Sequence, residues 1–190
     1  VLKDRLYTTK ADSRARRSAQ TALYHITHAM LRWMAPFLSF TAEEAWEIIG
    51  SSDSIFIETY STLPATDDLL AVKWERLLDI RAAANKEIEA VREQGQVGSS
   101  LQANLTIAAP SDDLAALQSL GDDLKFIFIT SQVTLQAGDA LAISVTPSSA
   151  QKCERCWHYR DDVGVNPEHP TICGRCDSNL HGAGEAREFA

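Results

Sequence analysis

The segments Cys153-Glu154-Arg155-Cys156 and Cys173-Gly174-Arg175-Cys176 hold all four cysteines of the 190-residue chain, with sixteen residues between the two pairs. Two residues between thiols allow one tight turn to direct both sulfurs at a single ion, and this spacing is typical of zinc sites. Two such turns complete a closed tetrahedral shell of thiolates that leaves no position for a substrate water. The sequence therefore predicts one structural zinc ion, with the ligands Cys153, Cys156, Cys173 and Cys176.

The rest of the sequence favours metal over disulfides at these cysteines. No signal peptide precedes the pattern that starts at Val1, and no apolar run approaches the length needed to cross a bilayer. In a reducing compartment, paired C-x-x-C motifs bind metal more often than they form disulfides. We therefore expect a cytoplasmic protein without membrane contact. Its opening in the middle of a helical pattern predicts a fragment of a longer chain.

The charge is distributed unevenly along the sequence, although the formal total is -8. Residues 1–35 carry seven basic and two acidic side chains, whereas residues 36–150 carry six basic and seventeen acidic ones. The segment from 151 to 190 carries five and seven. A basic head joined to an acidic middle argues against indiscriminate nucleic-acid binding and favours local contact with a polyanion.

Residues 13–34 show the apolar period of a long amphipathic helix, which Pro36 ends. Basic and histidine side chains step by three or four along the opposite face. They form either a solvated face or a ridge that tracks phosphates and releases counterions. The candidate contacts on this ridge are Arg14, Arg17, His28 and Arg32.

The pattern continues with a helix capped by Thr41 and Glu44 that ends at Gly50. A loop with a short extended piece at 55–57 follows, and then a second long helix over about 69–94. Antiparallel packing of these helices predicts a helical bundle over residues 1–98.

Residues 99–149 predict a small α+β module. A strand from Leu101 ends at Pro110, and a helix capped at 111–113 runs to about 120. Residues 126–129 are too short and apolar for periodicity to decide their state, and residues 137–140 predict the turn of a hairpin. A linker then leads into a zinc ribbon at 150–190, so the fold class is mainly α, followed by an α+β module and the ribbon.

Aromatic and basic residues beside the first cysteine pair are suited to stacking on unpaired bases. Packing of the aromatic side chains in the small core of the ribbon explains the same pattern equally well. The candidate nucleic-acid contacts here are Trp157, His158, Arg160 and Arg175. The sequence contains no Gly-rich phosphate loop and no other recognised catalytic motif, so it predicts a binding piece without catalytic residues.

Three segments carry a resemblance to a known family: 3–7 (KDRLY), 33–44 (WMAPFLSFTAEE) and 98–103 (GSSLQA). They are similar to the anticodon-binding region of class I synthetases for branched aliphatic amino acids. The tail, with Trp157-His158-Tyr159 after the first cysteine pair and the ending 187–190, resembles the zinc-binding C-terminus of the bacterial isoleucyl-tRNA synthetases. Together these segments span nearly the whole chain.

The resemblance implies a C-terminal part that grips the anticodon stem-loop of tRNA(Ile), as a monomer, beside the remainder of the same chain. The parent enzyme would form isoleucyl-adenylate from ATP, with Mg²⁺, in a catalytic domain that this sequence lacks, so the isolated part would be inactive. Two alternatives stay open at this point. One is a nucleic-acid-binding fragment of the DNA-glycosylase type, whose zinc finger is similar, and the other is a zinc ribbon that binds proteins.

Overall fold

The structure, a computed structural model, describes residues 2–49, 53–65 and 67–189, and about half of the chain is helical. The α-helices are α1 (Leu2–Tyr7), α2 (Arg14–Met34), α3 (Ser39–Ile48), α4 (Asp68–Glu93), α5 (Ser111–Gln118), α6 (Leu124–Phe128) and α7 (Gly174–His181). The strands are β1 (Ala103–Ala109), β2 (Gln132–Ala137), β3 (Ala142–Pro147), β4 (Gln151–Lys152) and β5 (Tyr159–Arg160).

The chain divides into two compact units. The first contains Val1–Arg16 and Asp67–Ala190, and the second contains Arg17–Thr66. The boundary between the units falls inside α2. The first unit contains both α4 and the sheet. The predicted division into 1–98, 99–149 and 150–190 stays a prediction.

The sheet of the first unit has the strand order β2-β1-β3, with β1 parallel to β2 and antiparallel to β3. The predicted hairpin between β2 and β3 is therefore wrong, because both strands pair with β1 instead. Alternate residues of β1 are fully buried, whereas β2 and β3 are half-exposed, as edge strands are. The most buried strand takes the centre, and the connection through α5 and α6 is long enough to allow the parallel pairing.

The helix α4 buries its apolar side chains in the core of this sheet. Leu77, Ile80, Ala84 and Ile88 share one cluster with the buried side chains of β1, α5 and α6. The sequence grouped α4 with α2 and α3 in a bundle, but periodicity shows only that a helix has an apolar face and not which element covers it. The long helix itself was predicted within one residue at each end.

The undecided segment 126–129 is settled as the end of α6. Phe126, Ile127 and Phe128 are buried, and Ile129 closes the helix in the left-handed conformation, with φ of +57°. The predicted cap of α5 is wrong, because Pro110 is the N-cap residue and no side chain caps the helix. Asp113 instead accepts two hydrogen bonds from Arg76, at 2.7 and 2.6 Å.

The second unit is built on α2 and α3, whose core consists of Leu31, Ala35, Ala42, Trp46 and Ile55. The helix α3 begins at Ser39 instead of at the predicted cap, because the N–H of Ala42 already bonds the carbonyl of Leu38, at 2.9 Å. The predicted end at Gly50 lies outside the described residues. The segment Ile55–Ile57 is a 3₁₀ turn and not extended, since the Ser54 hydroxyl accepts a hydrogen bond from the N–H of Phe56.

Candidate metal centre and its surroundings

The four cysteines meet at one buried point of the first unit. Their sulfurs all lie within 4.8 Å of one another, and none of the four forms a disulfide. The Sγ atoms of Cys153 and Cys176 are 3.8 Å apart, as are those of Cys156 and Cys173. Four sulfurs at about 2.3 Å from one zinc ion lie about 3.8 Å apart at tetrahedral angles. These two separations match those of a tetrahedral thiolate shell, and the other four are no longer than 4.8 Å.

Local backbone geometry explains why the sulfurs converge. In the first pair, the N–H of Trp157 bonds the carbonyl of Cys153 and the N–H of Cys153 bonds the carbonyl of His158, both at 2.9 Å. In the second pair, Cys173 is the N-cap residue of α7 and Cys176 lies in its first turn. The N–H of Cys173 points at the sulfur of Cys153, at 3.3 Å. The tight turn at 153–158, called the knuckle from here on, therefore supplies two of the sulfurs, and the first turn of α7 with its N-cap residue supplies the other two.

The sulfurs cannot all ionise without a cation. Hydrogen bonds from the Cys156 and Cys176 side chains lower the pKa of the Cys173 thiol. The hydrogen bond to Cys173 and burial raise the pKa of the Cys156 thiol. Without a cation, the Cys173 thiolate is stabilised by hydrogen bonds from neighbouring thiols. A second thiolate at this distance is disfavoured, because like charges repel. A divalent ion offsets the repulsion between the thiolates, so the four cysteines fit a zinc ion. A zinc ion bound by all four would have no open coordination position.

A second feature, an ion cluster centred on Asp4 of α1, lies against the ribbon. The Oδ2 atom of Asp4 accepts hydrogen bonds from Arg175, at 2.6 Å, and from Arg187. The two arginine side chains are 6% and 1% exposed. The Nε atom of Arg175 donates to Glu185, at 2.8 Å. Although burial opposes ionisation, the two arginines hold the pKa of Asp4 below its usual value.

A further pair of bonds joins α1 to the knuckle. Arg155 donates to the carbonyls of Thr8, at 2.8 Å, and Tyr7, at 3.1 Å. Arg155 and Arg175 each lie between the two cysteines of a C-x-x-C pair. In the structure both bind α1, and Arg175 is neutralised by carboxylates. No sequence pattern indicates these contacts, because the partners are 147 to 183 residues apart.

The predicted nucleic-acid contacts on α2 fall into two groups. Arg14 and Arg17 are exposed. The guanidinium of Arg32 donates to Glu58, at 2.7 Å, and lies 4.6 Å from the centre of the Trp46 ring. His28 packs edge-on against Trp46, and burial together with the charge of Arg32 lowers its pKa. These last two side chains take part in the packing of the second unit.

The predicted contacts in the ribbon divide in the same way. His158 is only 5% exposed, and its Nδ1 lies 3.1 Å from the Cys156 carbonyl. Arg160 forms two hydrogen bonds with Asp162, at 2.7 and 2.8 Å, and Arg175 belongs to the ion cluster. His158 is therefore packed inside the first unit, with its ring edge-on to Phe126, at a centroid distance of 5.5 Å.

Trp157 differs from these residues because its side chain is 60% exposed. Its backbone has φ of +65°, a left-handed conformation that is uncommon for a bulky residue. The ammonium of Lys152 lies 5.6 Å from the centre of the indole ring. A large aromatic side chain is thus displayed beside a cation at a position where glycine would be less strained. Such local strain is concentrated at functional sites.

Within the part of the chain that the structure describes, none of the helices combines the length and hydrophobicity of a membrane-spanning helix.

The fold and the cysteine cluster agree with the comparisons to known proteins. The family model described as the anticodon-binding domain of tRNA ligase matches residues 1–107, and that described as a zinc finger found in FPG and IleRS matches residues 150–179. Because the first match covers more than half of the chain, the chain belongs to the anticodon-binding domain family of tRNA ligases. The family predicted from the sequence is confirmed.

The individual relatives are isoleucine–tRNA ligases. Those of Cupriavidus pinatubonensis, Burkholderia cenocepacia and Thiobacillus denitrificans are 62%, 57% and 54% identical to the chain. Each comparison covers 100% of the chain and 21% of the relative, so the chain spans about a fifth of the length of these ligases. The zinc-finger family alone would also admit the glycosylase alternative, but the anticodon-domain match and these relatives favour the ligase.

Proposed function

We propose that the chain binds the anticodon stem-loop of tRNA(Ile) as part of an isoleucine–tRNA ligase. The observation that carries the proposal is Trp157, which is displayed on the metal knuckle of a chain whose family binds anticodons. Unpaired bases are commonly recognised by stacking on exposed aromatic rings, and a neighbouring cation attracts the adjoining phosphate. Trp157 and Lys152 supply both elements on one surface.

Arg14 and Arg17 supply the electrostatic part of the proposed interface. Both are exposed cations on α2, and no acidic side chain lies on the helix between its first residue and its last. Each Lys or Arg that neutralises a phosphate releases counterions, which adds affinity without reading the sequence. His28, Arg32, His158, Arg160 and Arg175 are held by contacts within their own units. For these residues we propose a supporting role, not a direct contact.

One zinc ion, bound by the four cysteine thiolates, would hold the ribbon in shape and perform no chemistry. The sulfur spacing supports this role, because a closed four-thiolate shell leaves no position for a reacting water. The activation of isoleucine with ATP and Mg²⁺ and the transfer to tRNA(Ile) would belong to the remainder of the ligase chain. We propose that the whole protein acts as a monomer in the cytoplasm.

Binding of tRNA(Ile) to the zinc-loaded chain, combined with footprinting, tests the proposal. Protection confined to the anticodon arm is the expected result. Equal affinity for duplex DNA would favour the glycosylase alternative, and the absence of nucleic-acid binding would favour a protein-binding ribbon.

Variants of Trp157 locate the contact within this experiment. Loss of stacking on one base costs about 1–3 kcal/mol, so Trp157→Ala should weaken binding about 5- to 150-fold. Trp157→Gly should weaken it equally while it relieves the left-handed backbone, and Trp157→Phe should retain most of the affinity. If the Ala and Gly variants both bind as tightly as the original chain, with one zinc each, Trp157 is not the platform.

A further inference from the structure

A second group of side chains with metal-ligand chemistry lies in the ribbon; two of its members are half-buried and one is exposed, whereas the four cysteines are buried. His169, Asp177 and His181 place one ligand atom each within 4.8 Å of the other two. Asp177 and His181 are one turn apart on α7, and His169 comes from the loop that precedes the second cysteine pair. The structure places them together.

The geometry of the group fits a small cation. The Nε2 atom of His169 and the Oδ1 atom of Asp177 are 3.9 Å apart, which is too long for a hydrogen bond. An ion bonded to both at about 2.1 Å would span separations of about 3.0 to 4.2 Å, depending on the bond angle. The imidazole rings of His169 and His181 are stacked, with centroids 4.1 Å apart and planes 12° from parallel. Because an imidazole nitrogen binds a metal in the plane of its ring, one ring must turn out of this stack before both can share an ion. His181 is the exposed member of the group, so its side chain has room to make this rotation.

Hydrogen bonds already hold the Asp177 side chain and the backbone of His169 in place. The Nδ2 atom of Asn166 donates to the Oδ1 atom of Asp177, at 3.1 Å. The Oδ1 atom of Asn166 accepts from the N–H of Glu168, at 3.0 Å, and its carbonyl accepts from the N–H of His169, also at 3.0 Å. Asn166 thus fixes the loop and the carboxylate together. Hydrogen-bonded carboxylates are characteristic of metal ligands in proteins.

We propose that His169, Asp177 and His181 bind a divalent first-row transition metal ion such as Zn²⁺ or Ni²⁺. Two imidazoles and one carboxylate select these ions over Mg²⁺ and Ca²⁺, which prefer oxygen ligands. Three protein ligands leave positions for water, in contrast to the closed shell of the cysteines. The ion would clip the loop at 166–169 onto α7, and so brace the ribbon from outside.

The experiment is a calorimetric titration of Ni²⁺ into the untagged, zinc-loaded 190-residue chain, with the zinc content measured before and after. One nickel ion should bind per chain without release of zinc. His169→Gln, Asp177→Asn and His181→Gln should each weaken nickel binding at least about tenfold. Asn166→Ala, which removes only the support of Asp177, should weaken it about tenfold by the same reasoning. His25→Gln, an exposed histidine on α2, is the matched control and should bind as the original chain does.

A full equivalent of zinc in each variant shows that its ribbon is folded, so a loss of nickel affinity can be assigned to the removed ligand. Three outcomes overturn the proposal. These are the absence of nickel binding at about 100-fold the chain concentration, nickel uptake matched by release of zinc, and unchanged affinity in His181→Gln, whose exposed side chain disturbs folding least.

Discussion

Replacing Asp4 by Asn should destabilise the first unit much more than replacing Asp12, the other carboxylate of residues 2–13, by Asn. The Oδ2 atom of Asp4 binds two arginines whose side chains are 6% and 1% exposed. Removing the negative charge of Asp4 leaves both guanidiniums buried without the carboxylate that they share. Glu185 still binds Arg175, at 2.8 Å. Arg187 keeps the longer ion pair with Asp123, at 3.8 Å, and its guanidinium lies 3.6 Å from the centre of the Phe126 ring.

The size of the effect follows from these contacts. Breaking a buried ion pair by removing one partner costs about 3–5 kcal/mol. Because Glu185 compensates in part, we expect the lower end, about 3 kcal/mol, which corresponds to a fall in Tm of about 6–12 °C for a chain of this size. In the folded chain the pKa of Asp4 lies below the ordinary value of 3.8 for an aspartate. Its contribution is therefore complete above pH 3.8 and is lost as the pH falls below that value.

The assay is urea unfolding of the zinc-loaded chain at neutral pH, followed by circular dichroism, together with the rate of zinc release to a chelator. Asp12→Asn is the control, because this carboxylate lies eight residues further on and its side chain is 79% exposed. The control should stay within about 0.5 kcal/mol of the original chain. If Asp4→Asn does the same and releases zinc no faster, the ion cluster does not hold α1 on the ribbon.

Three other predictions address the metal, the tRNA interface and a buried histidine. Cys153→Ser should lose the zinc equivalent and unfold the ribbon but leave the second unit helical, because metal binding and ribbon folding are coupled; an unchanged zinc content would contradict the assignment of ligands. Arg14→Ala with Arg17→Ala should reduce the salt dependence of tRNA binding by about two units of slope, whereas an unchanged slope would make this helix face plain solvated surface. In an NMR titration, His28 should have a pKa below 6.5, because burial and Arg32 disfavour its charged form. The stability that it contributes to the second unit is then complete above pH 6.5 and is lost as the pH falls, and a midpoint at or above 6.5 would refute this.

The sequence predicted best those features that local spacing determines. The four cysteines come together as their spacing requires, and α2 and α4 begin and end within one residue of their predicted bounds. The order of the strands was not predictable in this way. Both β2 and β3 alternate as edge strands do, and alternation cannot show that each pairs with β1 instead of with its neighbour.

Contacts between distant parts of the chain were the other failure. Asp4 and Arg187 are 183 residues apart, and each alone reads as an ordinary surface charge. Two of the predicted RNA contacts, Arg32 and His28, are half-buried for the same reason. Periodicity places Arg32 and His28 on one helix face, but the loop after α3 folds Glu58 onto that face. An exposed face can be recognised only once the partner that could cover it is known.

The exposed position of the Trp157 ring depends on the cysteine site. A left-handed conformation at a bulky residue costs of order 1–3 kcal/mol, and it persists only when the surrounding structure determines it. At Trp157 that structure is the knuckle, in which the preceding residue is Cys156 and the N–H of Trp157 bonds the carbonyl of Cys153. Metal bound by these two cysteines would fix the knuckle from within, so it offsets the strain that displays the ring. Removal of zinc should therefore abolish the stacking contribution to tRNA binding even though Trp157 itself is unchanged.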